Sequence, residues 1–219
     1  SMTVTSDSRY TYVSFDTQQK VAFVAKYTGS AFTIDFKYTD QVPPSMALTK
    51  NSLFSSASWS GTKLTLSLLK TNGFLGYKSY YDSNGNLVFR FNNPTNGLSG
   101  AHIFVERGHP QNAGDQGAIG FVPGLNELQL NQAVVDNLVE ILRSRGANVA
   151  TPSESAFSKM HWSYRVAEAE AYGPQLYISI HHNSFGSSSA KGTETYFVRP
   201  FAQNYASYVS SNVASAIGT

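Results

Sequence analysis

The sequence predicts an all-β domain followed by an α/β domain. Three observations carry this. Up to about Pro94 apolar residues recur at every second position. Beyond residue 100, short apolar runs alternate with stretches of helical period. Between them lies a turn-rich segment, Asn92-Asn93-Pro94-Thr95-Asn96-Gly97-Leu98-Ser99-Gly100. Period-two patterning marks half-buried strands, and alternating strands and helices mark a parallel sheet with helices packed on it. The predicted boundaries are 1–94 for an antiparallel, sandwich-like β domain, 95–100 for a linker, and 101–219 for a doubly wound α/β domain.

In the first half, Phe32, Ile34, Phe36 and Tyr38 share one face of a strand, with Thr33, Asp35 and Lys37 on the other. Leu64, Leu66 and Leu68 repeat the pattern, as do Leu87, Phe89 and Phe91. Asp82-Ser83-Asn84-Gly85-Asn86 supplies residues that tolerate positive φ, as a tight hairpin requires, and Pro43-Pro44 and Gly73 punctuate other joins. In the second half, Ile103-Phe104-Val105 is a short strand running into a glycine-rich loop, 108–124. A helix follows. Asn126 suits its N-cap, Gln129 completes a capping box, and Leu130, Val134, Leu138 and Ile141 are its expected buried stripe. Arg143 and Arg145 suit its C-terminal dipole and Gly146 its end. A second helix is predicted from about Phe157 to Tyr172, closed by Gly173-Pro174. Leu176 to Ile180 reads as a fully buried strand and Thr193 to Val198 as another. Tyr205, Tyr208, Val209 and Val213 open a third helix shortly before Thr219, so the α/β domain is expected to be C-terminally incomplete.

Composition narrows the chemistry. Of 219 residues, 14% are charged, against about 25% in an average globular domain, and the net charge is +2. That is too little to argue for nucleic acid. The absence of cysteine removes disulfides, thiolate metal sites and cysteine nucleophiles, and leaves histidines and carboxylates as candidate ligands. No apolar run reaches the roughly 18 residues of a transmembrane helix. Ser1-Met2 has the look of an expression-vector remnant, which leaves room for an export signal ahead of it.

In open α/β sheets ligands gather at the carboxyl ends of the strands. His109 follows the strand at 103–106 and His181 ends the strand at 176–180, while Glu127 lies in the first turn of the helix leaving the glycine-rich loop. Two imidazoles and a carboxylate from separate elements can make a three-ligand zinc site with an open position. By residue type alone, a histidine after a strand is more often a hydrogen-bonded surface residue, and a helix-start Glu a dipole partner.

The order of motifs adds a resemblance. Gly108-His109, Asp115-Gln116-Gly117-Ala118, Asn126-Glu127, Arg165, Ser179-Ile180-His181-His182-Asn183 and Gly192-Thr193-Glu194-Thr195-Tyr196 follow one another. Over about 98–219 the chain thereby resembles the zinc-dependent N-acetylmuramoyl-L-alanine amidases of type 3. These peptidoglycan hydrolases cleave the amide between the lactyl group of N-acetylmuramic acid and L-alanine. The resemblance implies Zn²⁺ as cofactor, peptidoglycan as partner, an extracytoplasmic or wall-associated location, and His109, Glu127 and His181 as ligands. It leaves His182 at a variable position, gives His102 and His161 no motif, and makes Arg165 an ion-pair or loop-anchoring residue before a substrate contact. Asn183 and Glu194 stand as residues near the ligands or the substrate. It also makes the β domain a candidate wall-targeting module.

Two departures from the family pattern raise a rival. Where the family reads Asp-Pro-Gly-His, this chain has Glu106-Arg107-Gly108-His109, with Pro110-Gln111 after it. Glu106 would orient the ligand imidazole from a longer side chain, and Arg107 would set a cation near the metal or hold an acidic group of the substrate. The family's second catalytic carboxylate is expected beyond Thr219, and loss of a general acid-base costs about 10²–10⁴-fold in rate. The chain is therefore expected to hold the metal half of the active site and to hydrolyse poorly. The alternative is a catalytically impaired wall-binding or regulatory protein on an amidase scaffold.

Overall fold

A computed structural model describes residues 1–39, 48–71, 73–110, 114–187 and 189–218; Pro43-Pro44, Gln111 and Thr219 lie outside the described residues. The chain folds as two compact units, Ser1–Pro94 with Thr193–Thr219, and Thr95–Gly192.

The first unit is built on eight strands: β1 (Met2–Ser6), β2 (Tyr10–Phe15), β3 (Ala22–Tyr27), β4 (Ala31–Lys37), β5 (Phe54–Ser60), β6 (Lys63–Leu68), β7 (Tyr77–Tyr81) and β8 (Leu87–Asn92). They form two antiparallel four-stranded sheets, ordered β1-β2-β8-β7 and β3-β4-β6-β5. The alternation read from the sequence decides what lies between them. Val13, Phe15, Leu87, Phe89 and Phe91 of one sheet share a core with Phe32, Ile34, Phe36, Leu64 and Leu66 of the other. Each fully buried Phe contributes roughly 1.5–3 kcal/mol. The Phe32 and Phe91 rings, 4.9 Å apart at 83°, add the edge-to-face geometry that aromatic pairs prefer. The β7–β8 hairpin closes through Asp82, whose Oδ1 accepts the amides of Asn84 and Asn86 at 2.9 Å each, with Gly85 at φ +81°. Hydrogen bonds from Asn86 and the turn amides hold the Asp82 carboxyl below its ordinary range.

A 3₁₀ turn at Pro200–Ala202 and helix α4 (Gln203–Ile217, numbered last in chain order) belong to the same unit. There Phe201 meets Phe74 edge-on at 5.2 Å. The strand expected at 193–198 does not form: the segment has no ladder partner among the described residues, and Tyr196 and Val198 are exposed. β-Branched and aromatic alternation states which residues suit a sheet surface but supplies no neighbouring strand.

The second unit has a three-stranded parallel sheet, β10-β9-β11, from β9 (His102–Arg107), β10 (Asn148–Ala150) and β11 (Leu176–Ile180). Helix α1 (Glu127–Ser144) packs on one face, with Val135, Val139 and Leu142 against Ile103 and Val105. The short α2 (Glu154–Phe157) ends where the second helix is expected to begin, and α3 (Ser163–Tyr172) forms only the later part of the expected stretch; α3 ends at Gly173 in the left-handed region and meets the face that carries Phe104 and Glu106. The architecture is thus antiparallel β-sheets followed by a mixed α/β region.

Two burial expectations are corrected. β11 is half-exposed, with Tyr177 40% exposed, because among the described residues it is an edge strand with a single neighbour. In α1 the buried face runs through Glu127, Asn131, Val135, Val139 and Leu142, while Val134 and Ile141 are exposed. The sequence stripe counted only apolar side chains, and the helix turns two polar ones inward. The expected capping box is present: Asn126 Oδ1 accepts the Gln129 amide at 3.0 Å and Gln129 Oε1 accepts the Asn126 amide at 3.2 Å. Asn126→Ala removes a cap worth about 1 kcal/mol and is expected to lower the urea midpoint of the α/β unit by a corresponding amount.

Candidate metal centre

The carboxyl ends of β9 and β11 lie side by side, with Ile180 opposite Arg107 and the Gly108 amide donating to the Ile180 carbonyl at 2.8 Å. The ladder therefore continues to the residues just before His109 and His181. Glu127 enters from the N-terminus of α1. Its backbone amide donates to the Ala118 carbonyl at 2.8 Å, and the Ala118 amide returns a bond to Glu127 Oε2 at 3.0 Å.

These three elements bring His109, Glu127 and His181 together, each with a donor atom within 4.8 Å of the others'. His109 Nε2 is 3.1 Å and His181 Nδ1 2.9 Å from the same oxygen, Glu127 Oε1. His109 Nδ1 lies 3.0 Å from Asp115 Oδ1, so an Nδ1–H donated to Asp115 leaves a lone pair on Nε2 facing the Glu127 carboxylate. Two electron-rich atoms at that separation need a cation between them, a proton or a metal. The side chains of Glu127 and His109 are 8% and 20% exposed and that of His181 is 50% exposed, so the cluster opens to solvent on the His181 side.

Burial pushes the Glu127 carboxyl up, but the Ala118 amide, His181, His109 and the His182 amide outweigh it and hold it below the ordinary range. His109, through its hydrogen bond, and the Gly117 amide hold the Asp115 carboxyl low as well. Both groups are thus kept as anions. His109 itself has φ +68°, a conformation that costs a non-glycine residue energy and is held only when the surroundings over-determine it.

Two glycines keep the space clear. A Cβ on Gly117 would lie 2.5 Å from Glu127 Oε2 and 2.8 Å from His109 Cδ2, and one on Gly108 would lie 2.1 Å from His181 Cε1. The donor chemistry, the convergence on one oxygen and this cradle all fit zinc, which favours imidazole and carboxylate ligands.

The other sequence candidates fall as follows. Asp115, quoted in a motif but given no role, is the carboxylate at His109; its place within a short Asp-x-Gly turn after a strand-end histidine was the available signal. Glu106 instead faces Arg165 across 3.5 Å and accepts from Ser179 Oγ at 3.1 Å. Burial and a hydrogen bond to Glu106 push the neighbouring Tyr177 phenol well above its ordinary pKa. Arg165 is buried in this pair. Arg107 is buried with its guanidinium 4.2 Å over the Phe157 ring, a cation–π contact. His182 turns away from the cluster, its Nδ1 2.8 Å from Asn131 Oδ1. Asn183 is exposed and caps the Ser184 amide at 2.9 Å. Glu194 belongs to the other compact unit, where it accepts the Tyr196 hydroxyl at 2.6 Å. His161 is exposed and stacked on Trp162, and His102 Nδ1 is 3.1 Å from the Gly100 carbonyl.

A parallel sheet whose strand ends hold a His/Glu/His cluster is an arrangement able to bind a metal ion. The model of the Amidase_3 family, described as N-acetylmuramoyl-L-alanine amidase, matches residues 103–219, and the chain belongs to that family. The match contains all three clustered residues and runs across the boundary between the two compact units. Among curated proteins the chain is 36% identical over 127 residues to an uncharacterized protein, YqiI, of Bacillus subtilis strain 168, covering 56% of this chain and 58% of that protein. It is 31% identical over 129 residues to the N-acetylmuramoyl-L-alanine amidase LytC of the same organism, covering 57% of this chain and 25% of LytC. The chain thus spans somewhat over half of one relative and a quarter of the other. No helix among the described residues is long and apolar enough to cross a membrane.

Proposed function

We propose that His109, Glu127 and His181 hold a zinc ion, and that the protein hydrolyses the amide between the lactyl group of N-acetylmuramic acid and L-alanine in peptidoglycan. The observation that carries the reading is the convergence of two imidazole nitrogens on one carboxylate oxygen at the ends of parallel strands, in a member of this family. When bound, zinc supplies Lewis acidity at the amide carbonyl and lowers the pKa of water to roughly 7. Asp115 fixes the His109 ring with Nε2 toward Glu127, where it would be free to hold the ion, and the Ala118 and His182 amides orient the Glu127 carboxylate. The half-exposed His181 borders the side from which a muropeptide approaches.

In the same reading 101–219 is the amidase domain, with the doubly wound form supported by α1 and α3 on opposite faces of the sheet. The β domain is a wall-targeting module, and the protein works outside the cytoplasm. Glu106 and Arg107, two of the departures behind the impaired-scaffold alternative, are engaged by Arg165 and by Phe157; its other ground, the second catalytic carboxylate expected beyond Thr219, is decided by the cleavage assay on the full reading frame.

The test is metal analysis of the purified chain beside Glu127→Gln, with muropeptide cleavage followed by mass spectrometry on the full reading frame. Stoichiometric zinc is expected in the parent and its loss in the variant, and stored zinc should raise the melting temperature of the parent alone. Cleavage should release free stem peptides and leave glycan chains intact. Equal zinc in both proteins would sink the ligand assignment, and shortened glycans the amide specificity.

A further inference from the structure

Asn131 lies four residues after Glu127, on the same face of α1, and is fully buried. Its amide is used at both ends. Nδ2 donates to the carbonyl of Gly108, the residue before His109, at 3.4 Å. Oδ1 lies 2.8 Å from Nδ1 of His182, the residue after His181. The two bonds fix each other. Exchanging the amide's oxygen and nitrogen would set Oδ1 against the Gly108 carbonyl oxygen, so Nδ2 belongs at Gly108 and His182 must present Nδ1–H to Oδ1. The His182 backbone amide meanwhile donates to Glu127 Oε1 at 3.1 Å. One side chain therefore ties the segment carrying His109 to the segment carrying His181, from the helix that carries Glu127.

We propose that Asn131 is a positioning residue of the metal centre, setting the separation of His109 and His181 through the Gly108 carbonyl and the His182 imidazole. This rests on the zinc reading of the His109–Glu127–His181 cluster. A simple packing role would need only the volume of the side chain. The amide does more: no apolar residue of similar size supplies a donor to one ligand segment and an acceptor to the other. Groups that orient metal ligands from behind typically change metal affinity by about 10–100-fold when removed.

The test uses the full chain as parent, Asn131→Leu, His182→Leu and His182→Gln. Zinc dissociation constants come from competition with a chromogenic chelator, the visible absorption of the cobalt-substituted proteins reports ligand geometry, and melting of the metal-free proteins reports packing. Asn131→Leu is expected to weaken zinc by about 10–100-fold and to shift the cobalt bands. His182→Leu, which cuts one arm only, should do the same to a smaller extent. His182→Gln, whose amide can still donate to Asn131 Oδ1, should recover most of the parental affinity and spectrum. Should Asn131→Leu fail to fold, the two variants at His182 decide alone. Parental zinc affinity and cobalt bands in both leucine variants, whatever their melting temperatures, would overturn the proposal. A parent that binds neither zinc nor cobalt overturns the metal reading itself, and that result is told apart because it precedes any comparison among variants.

Discussion

Gly108→Ala is expected to weaken zinc binding by more than about 100-fold, beyond the usual range for a group that merely supports a ligand. The new Cβ would fall 2.1, 2.4 and 2.5 Å from Cε1, Nδ1 and Nε2 of His181, against the distal edge of the imidazole. The backbone cannot yield cheaply. The Gly108 amide is bonded to the Ile180 carbonyl and its carbonyl accepts from Asn131, so the backbone is held from both sides. The imidazole must swing out, and the cluster loses one donor. Gly117→Ala strikes the other two, through contacts with Glu127 Oε2 and His109 Cδ2 and through φ +68°, which disfavours any Cβ. Metal content after gel filtration and a zinc titration would check both variants. Stoichiometric, tight zinc in Gly108→Ala would remove His181 from the ligand set.

The second large effect lies behind the sheet. Arg165→Leu leaves Glu106 as a buried carboxylate whose charged partner is gone, and removing one partner of a buried pair costs about 3–5 kcal/mol. Both side chains are 6% exposed, so water cannot compensate readily. Chemical denaturation of the α/β unit should show a loss of this size, and the double variant Glu106→Leu with Arg165→Leu should regain much of it, because an apolar pair of similar volume removes the orphaned charge. A double variant as unstable as the single one would show that the cost comes from packing and not from charge.

How much of this was legible beforehand differs between the halves. The Phe32–Lys37, Leu64–Leu68 and Leu87–Phe91 alternations became β4, β6 and β8 because a sandwich core reads each strand on one face only, which is what period two records. The cap at Asn126 was legible for a similar reason, since its bonds lie within four residues. The α1 face was misread because Glu127 and Asn131 turn inward for the sake of the cluster, and no count of apolar residues anticipates that. The strand at 193–198 was misread because pairing depends on a distant neighbour. At the site, motif order singled out the three residues that converge in space, yet it passed over Asp115 as the partner of His109 and over Asn131 altogether. Which carboxylate reaches an imidazole depends on how the loop turns, and Glu106 points to the opposite face from the one its neighbour Arg107 occupies.

The two backbone amides bonded to Glu127, those of Ala118 and His182, give the centre a built-in clock. Neither can exchange its hydrogen with solvent while the carboxylate holds it, so each exchange event records a moment when the carboxylate has let go. Ala118 also accepts the Glu127 amide, which joins release of the side chain to fraying of the first helical turn. Release of the carboxylate and unfastening of the loop are then a single opening motion, and hydrogen exchange at Ala118 and His182 measures how often it occurs.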